Sequence, residues 1–208
     1  MKIISRLIIF MFFVLMLLII ILSTIGIETN RFNNLISQKI NTARNHINLE
    51  LDTIKFKFDI KKISLFLETI NPNINYRGVV VPAKNIKVYI NFKSIMKSEA
   101  KIEKINLIFN QIDIDQLKKI SKTLKPSNFT SFINNRIKQG KLNTELEVYL
   151  NKNNVFENFI ARGSVANLET EVINGVNLNK MNFSFFADKS DVLINNFFGE
   201  TGPIKIKD

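Results

Sequence analysis

Hydrophobic and polar positions change period several times along this chain. Residues 7–27, LIIFMFFVLMLLIIILSTIGI, contain no charge, and their only hydroxyls are Ser23 and Thr24. As a helix rising about 1.5 Å per residue, this segment reaches roughly 32 Å, enough to cross the hydrocarbon core of a bilayer. A helix apolar on every face has no side to offer water, so the pattern predicts a membrane span. Leu7, Phe10, Phe13, Leu17, Ile21 and Ile27 mark that anchor. Its apolar run is longer than that of a cleaved signal peptide, and no Ala-x-Ala site follows it. Lys2 and Arg6 precede it, which places residues 1–6 in the cytoplasm and residues 28–208 across the membrane. In a bacterium with two membranes that space is the periplasm.

The period then becomes helical. Over residues 28–48, Phe32, Leu35, Ile36, Ile40, Ala43 and Ile47 recur at three- and four-residue spacing, with Thr29 as the expected cap. From Ile54 the period is two. Ile54, Phe56, Phe58 and Ile60 alternate with Lys55, Lys57, Asp59 and Lys61, and Ile63, Leu65 and Leu67 continue the series. Asn71-Pro72-Asn73 reads as a turn, and Pro82 closes a short run at 79–81. Ile86, Val88, Ile90 and Phe92 form a clear half-buried strand. A helical turn is expected at 94–98, and a strand at Ile105, Leu107 and Phe109.

A helical insert is predicted near 113–139. Asp113 or Asp115 caps its first segment, which carries Leu117, Ile120 and Leu124 on one face and ends at Pro126. A second helix is expected over 128–139, with Phe129, Phe132, Ile133 and Ile137 as its stripe and Gly140 as its C-cap. Strands resume at Leu142, Leu146, Val148 and Leu150. A turn at 151–154 leads to a return strand over 159–168, and Asn174-Gly175 is a two-residue hairpin signal. Phe183, Phe185 and Ala187 share a face, then Val192 and Ile194 follow, and the pattern breaks off soon after Gly202-Pro203. The β-rich domain of 28–208 is therefore expected to be incomplete at its C-terminus.

These strands are one-sided, each with an apolar face and a Lys/Asn/Glu face. Such strands need apolar cover. A β-sandwich, an α+β domain, or a sheet whose apolar face is filled by acyl chains all satisfy the pattern, and periodicity does not separate them.

Composition narrows the partners. The 208 residues carry a formal charge of +11, which favours anionic surfaces. The lysines are spread along strands, and an exported domain meets no DNA, so nucleic acid is not expected. With no cysteine no disulfide can form, and with a single histidine, His46, a zinc site is not expected. Asp113 and Asp115 read as helix caps rather than a catalytic carboxylate pair, and Glu145 and Glu147 as a solvated strand face. His46 has no Ser or Asp at a spacing that pairs them, and no phosphate-binding loop string occurs. The expectation is a protein that is not an enzyme and uses no cofactor.

The order of these elements, with TNRFNNLISQKI running into LELDTIKFKFDI, then NIKVYINFKSIMKSEAKIEKINLIFNQIDI, then FIARGSVANLE and LNKMNFSFFADKSDVLINNFFGE, resembles the N-terminal part of AsmA-like proteins of Gram-negative bacteria. That resemblance spans nearly the whole chain and rests on hydrophobic patterns, with no catalytic set to carry over. It implies a mainly β (α+β) fold: an inner-membrane anchor followed by a curved antiparallel β-sheet groove with a few short helices. It also implies a bridge-like protein that moves phospholipids towards the outer membrane. A full bridge is much longer than this chain, which would supply the anchored, donor-side end. The lipid-groove residues would be Ile86, Val88, Ile90, Phe92, Leu146, Val148, Leu150, Phe183 and Phe185, holding acyl chains of membrane phospholipids while anionic head groups meet the Lys faces. Envelope proteins are expected as further partners. The competing expectation is a single-span structural protein for envelope assembly, with a closed periplasmic β-domain.

Overall fold

The computed structural model describes residues 2–30, 33, 37, 46–61, 63–90, 101–151, 153, 155–173 and 175–207. The chain starts in helix α1, Lys2–Thr24, whose apolar side chains are exposed along its length. This helix is long and apolar enough to cross a membrane. It stops three residues earlier than the sequence suggests. Ile25 and Gly26 donate backbone hydrogen bonds to the Ile21 carbonyl, and Gly26 turns the chain at φ 77°. Ile27 is therefore not part of the helix. It lies in strand β1, Ile27–Thr29, opposite Phe56.

The helix expected over 28–48 is corrected at both ends. Glu28 and Thr29 are in β1, and Ile47 and Asn48 begin β2, Ile47–Glu50. Thr29 is a strand residue opposite Ile54. His46 is an exposed turn residue whose carbonyl accepts from Arg77 N at 2.9 Å. Of the residues between these strands, Asn33 and Ser37 are helical, and most of the expected stripe lies outside the described residues.

The remaining strands are β3 (Ile54–Asp59), β4 (Ser64–Ile70), β5 (Asn73–Tyr76), β6 (Val79–Val81), β7 (Ala83–Ile90), β8 (Ile102–Phe109), β9 (Ile112–Asp113), β10 (Ile137–Leu150), β11 (Phe156–Ile173), β12 (Val176–Asp188), β13 (Val192–Thr201) and β14 (Ile204–Lys207). One open antiparallel sheet runs β1-β3-β4-β7-β8-β10-β11-β12-β13-β14, with β9 also on β10. Its ends do not meet, so β1 and β14 are edges. A separate small sheet, β2-β5-β6, was not foreseen from the sequence. The helical turn expected at 94–98 lies outside the described residues.

Two helices form the insert. In α2, Ile114–Thr123, the Asp113 carboxylate accepts from Gln116 N at 2.9 Å, the expected cap. In α3, Asn128–Asn135, Ser127 and Thr130 form a reciprocal capping box. This second helix is shorter than expected. β10 already begins at Ile137, which is buried, and Gly140 is a strand residue at φ 154° rather than a C-cap. The two-residue hairpin anticipated at 174–175 is consistent with Ile173 pairing with Val176, and a second, not anticipated, joins Thr201 to Ile204.

Candidate functional site

In an antiparallel sheet, residues directly opposite each other share a face. The registers therefore join side chains that are distant in sequence. One row reads Phe56, Leu67, Val88, Ile105, Val148 and Phe159 across six strands. A parallel row reads Ile54, Thr69, Ile86, Leu107, Leu146, Ala161 and Ala187. Further along lie Gly163, Phe185 and Ile194, and then Leu142, Val165 and Phe183. The result is one continuous apolar face running from β3 to β13.

This face is not sealed. Every member of the two long rows except Ile54 and Thr69, at the β3–β4 end, remains partly exposed. The buried apolar residues are few and scattered, from Leu49 and Ile54 to Met181, and no described side chain is below 2 % exposure. A sandwich would bury these rows first.

The site residues anticipated from sequence fall on this surface. Ile86, Val88, Ile90, Leu146 and Val148 stand together, and Phe183 and Phe185 continue the face. Leu150 ends β10 opposite Phe156 after a shift of register. Phe92 lies outside the described residues. Ile105, Leu107, Phe159 and Ala161 were not in the anticipated set, though β8 sits between β7 and β10 and no row is continuous without it. The same two-residue alternation marks them, so they were legible. What the alternation lacks is strand order.

At the β10–β13 end the helices α2 and α3 lie over the apolar face and leave a cavity of about 370 Å³. Leu117, Phe132 and Ile133 form its roof, and Leu142, Val165 and Phe185 form its floor. Its helical wall is apolar because both helices are amphipathic, with Phe129 standing exposed at the margin.

The opposite face corrects the sequence reading. Glu145 and Glu147 were expected to be solvated, yet Glu147 is 6 % exposed and Lys104 8 %. Glu147 accepts from Arg162 at 2.8 Å, Lys104 at 3.0 Å and the Tyr149 hydroxyl at 2.6 Å. Glu68 is likewise held by Lys57 at 2.7 Å and Asn85 at 2.7 Å. Long side chains lying flat across neighbouring strands cover one another here. Burial pushes both carboxyls up, but the hydrogen bonds and cations outweigh it, and both rest below the ordinary carboxylate range. Burial, and then the Glu147 hydrogen bond and charge, push the Tyr149 hydroxyl up to about 12. Each of these carboxylates is paired with cations from neighbouring strands, Glu68 with Lys57 and Lys87 and Glu147 with Lys104 and Arg162.

Among the described residues, no group of three or more His, Asp or Glu is placed to hold a metal ion. No family model, curated protein or solved structure matches this chain.

Proposed function

We propose that the chain is a membrane-anchored lipid-groove protein that binds phospholipid acyl chains on its apolar sheet face and passes them along it. In this reading α1 spans the inner membrane with its N-terminus in the cytoplasm, and the sheet stands in the periplasm. The protein works as the AsmA-like proteins it resembles are thought to work, by binding and passage without covalent chemistry, and contributes to phospholipid transport to the outer membrane. The partly exposed apolar face carries this reading. A soluble domain rarely leaves an apolar patch of such extent in water, because each Å² kept wet forgoes roughly 25 cal/mol. Acyl chains supply the missing cover without requiring polar groups.

The position of the anchor supports the same reading. β1 follows α1 directly and is hydrogen-bonded to β3 of the large sheet. The apolar face thus starts within a few residues of the bilayer, where a lipid would have to enter. A photo-crosslinking residue at Leu107, introduced in cells and followed by lipid analysis of the irradiated protein, tests the proposal. Lipid adducts at Leu107, with none at an exposed polar-face position such as Arg162, are the expected result. Adducts at neither position would overturn it.

A further inference from the structure

Six described residues other than glycine have positive φ. Three are asparagine and two are cationic, and the sixth is Ile63, at φ 48°. Left-handed backbone disfavours a β-branched side chain, and turns normally fill such a place with Gly or Asn. Ile63 is also 75 % exposed, more than any other large apolar residue outside α1 among those described. It belongs to the β3–β4 turn, whose residues 60–63 read Ile-Lys-Lys-Ile. Ile60 is exposed as well, and the Asp59 carboxylate accepts from Lys61 N at 3.0 Å. A turn that faces only water gains nothing from two exposed isoleucines, one of them in a strained conformation.

This turn stands beside the end of α1. The helix lies against β3 near its own C-terminus, where Ile19, Leu22 and Ser23 are half-buried, and its other side chains from Ile3 to Thr24 are exposed. Ile27 is opposite Phe56, and a Cβ on Gly26 would lie 2.8 Å from Lys57 Cγ, so the chain leaves the helix at the level of Lys57. β1 and β3 are antiparallel, so β3 runs on past that level, away from β1. It reaches the turn about 10 Å further on, at roughly 3.3 Å per residue. The polar layer on each side of a bilayer is about 5–8 Å deep, which that distance spans.

We infer that the β3–β4 turn is a second membrane contact: Ile60 and Ile63 insert into the interface of the bilayer that α1 crosses, with Lys61 at the level of the phosphates. This rests on the reading of α1 as a membrane span and is independent of the acyl-chain groove. Apolar side chains next to a cation are what an interfacial lipid layer accepts, since the apolar part enters the acyl boundary and the ammonium stays among the head groups. One helix alone leaves the sheet free to swivel, and a second contact at this corner fixes how the sheet stands on the membrane.

The chain contains no tryptophan, so a single introduced one is a clean reporter. Phe13→Trp reports on α1, Ile60→Trp and Ile63→Trp on the turn, and Asn110→Trp on the opposite end of the sheet, just past β8. Each full-length variant is placed in nanodiscs of phosphatidylethanolamine and phosphatidylglycerol with bromine on the acyl chains. Fluorescence should be quenched at Phe13→Trp, quenched and blue-shifted at both turn positions, and unchanged at Asn110→Trp. Adding Val88→Asp, which spoils the apolar face, should leave the turn signal intact. Turn reporters that behave like Asn110→Trp while Phe13→Trp is quenched would overturn the contact and leave the anchor standing. No quenching at Phe13→Trp would overturn the anchor and the contact with it. Turn quenching that disappears with Val88→Asp would come from lipid carried on the face and would also overturn the contact.

Discussion

Lys104 Nζ lies 3.0 Å from Glu147 Oε1, and both residues are more buried than Val88 or Leu146 on the other side of the same sheet. The polar face is the better covered of the two. It is covered by its own ion pairs, while most of the two apolar rows stays partly exposed among the described residues.

Removing Glu147 should be costly, because it strands Lys104 without its partner. Glu147→Ala is expected to lower stability by about 3 kcal/mol, as for other buried pairs broken on one side. Urea unfolding of the full chain in a mild detergent, followed by circular dichroism in the β region, measures it. Glu145→Ala, on the same face but with its carboxylate more exposed at 32 %, should cost much less.

Acid should weaken the fold through the same groups. The carboxyls of Glu68 and Glu147 lie below their ordinary range in the folded chain. Their contribution is therefore complete above the unfolded carboxylate value of about 4.3 and is lost as pH falls through the lower folded values. Tyr149 acts at the other end. Its hydroxyl is raised to about 12, so its contribution is complete below the unfolded value of about 10 and is lost between about 10 and about 12. Unfolding midpoints measured across pH should fall at both ends, and Glu147→Gln should flatten both limbs.

Gly163 is expected to tolerate no side chain. A Cβ there would fall onto the Asn143 carbonyl oxygen and lie 3.0 Å from the Phe185 ring and from Thr144 Cα. Two of these three neighbours are backbone, so little can give way. Gly163→Val should destabilise the sheet by about 2–3 kcal/mol, read from the same urea transition.

Gly26 joins α1 to the sheet. It has φ 77°, and a Cβ would lie 2.8 Å from both Lys57 Cγ and the Phe56 carbonyl oxygen. Gly26→Ala is expected to cost about 1–2 kcal/mol from the left-handed backbone alone and to pull β1 off β3. Limited proteolysis should then cut between α1 and β3 in the variant and spare the unaltered chain.

Much of the β architecture could be read from alternation. Ile54, Phe56 and Phe58 fall in β3, Ile86 to Ile90 in β7, and Leu146 to Leu150 in β10, as the two-residue period implies. Asp113 capped its helix as expected because that hydrogen bond is local. Errors arose where tertiary pairing overrode local preference. Ile137 fits a helical stripe, but pairing with Thr170 holds it in β10. The burial of Glu147 depends on Lys104, Tyr149 and Arg162 converging from three strands, which no local pattern records. The rows of the apolar face were visible only in pieces, since β8 and its place between β7 and β10 is a property of strand order.

The most direct test is native mass spectrometry with lipid extraction on the full chain purified from a two-membrane bacterium, beside the Val88→Asp and Leu146→Asp variants. Both positions are partly exposed, so the variants should fold, whereas a carboxylate among acyl chains costs about 3 kcal/mol, on the order of a hundredfold in retention. Lipids around α1 would be common to all three proteins and cancel. The account predicts stoichiometric phospholipid on the unaltered chain, beyond that shared background, and its loss from both variants. A folded chain carrying no more lipid than the two variants would contradict it.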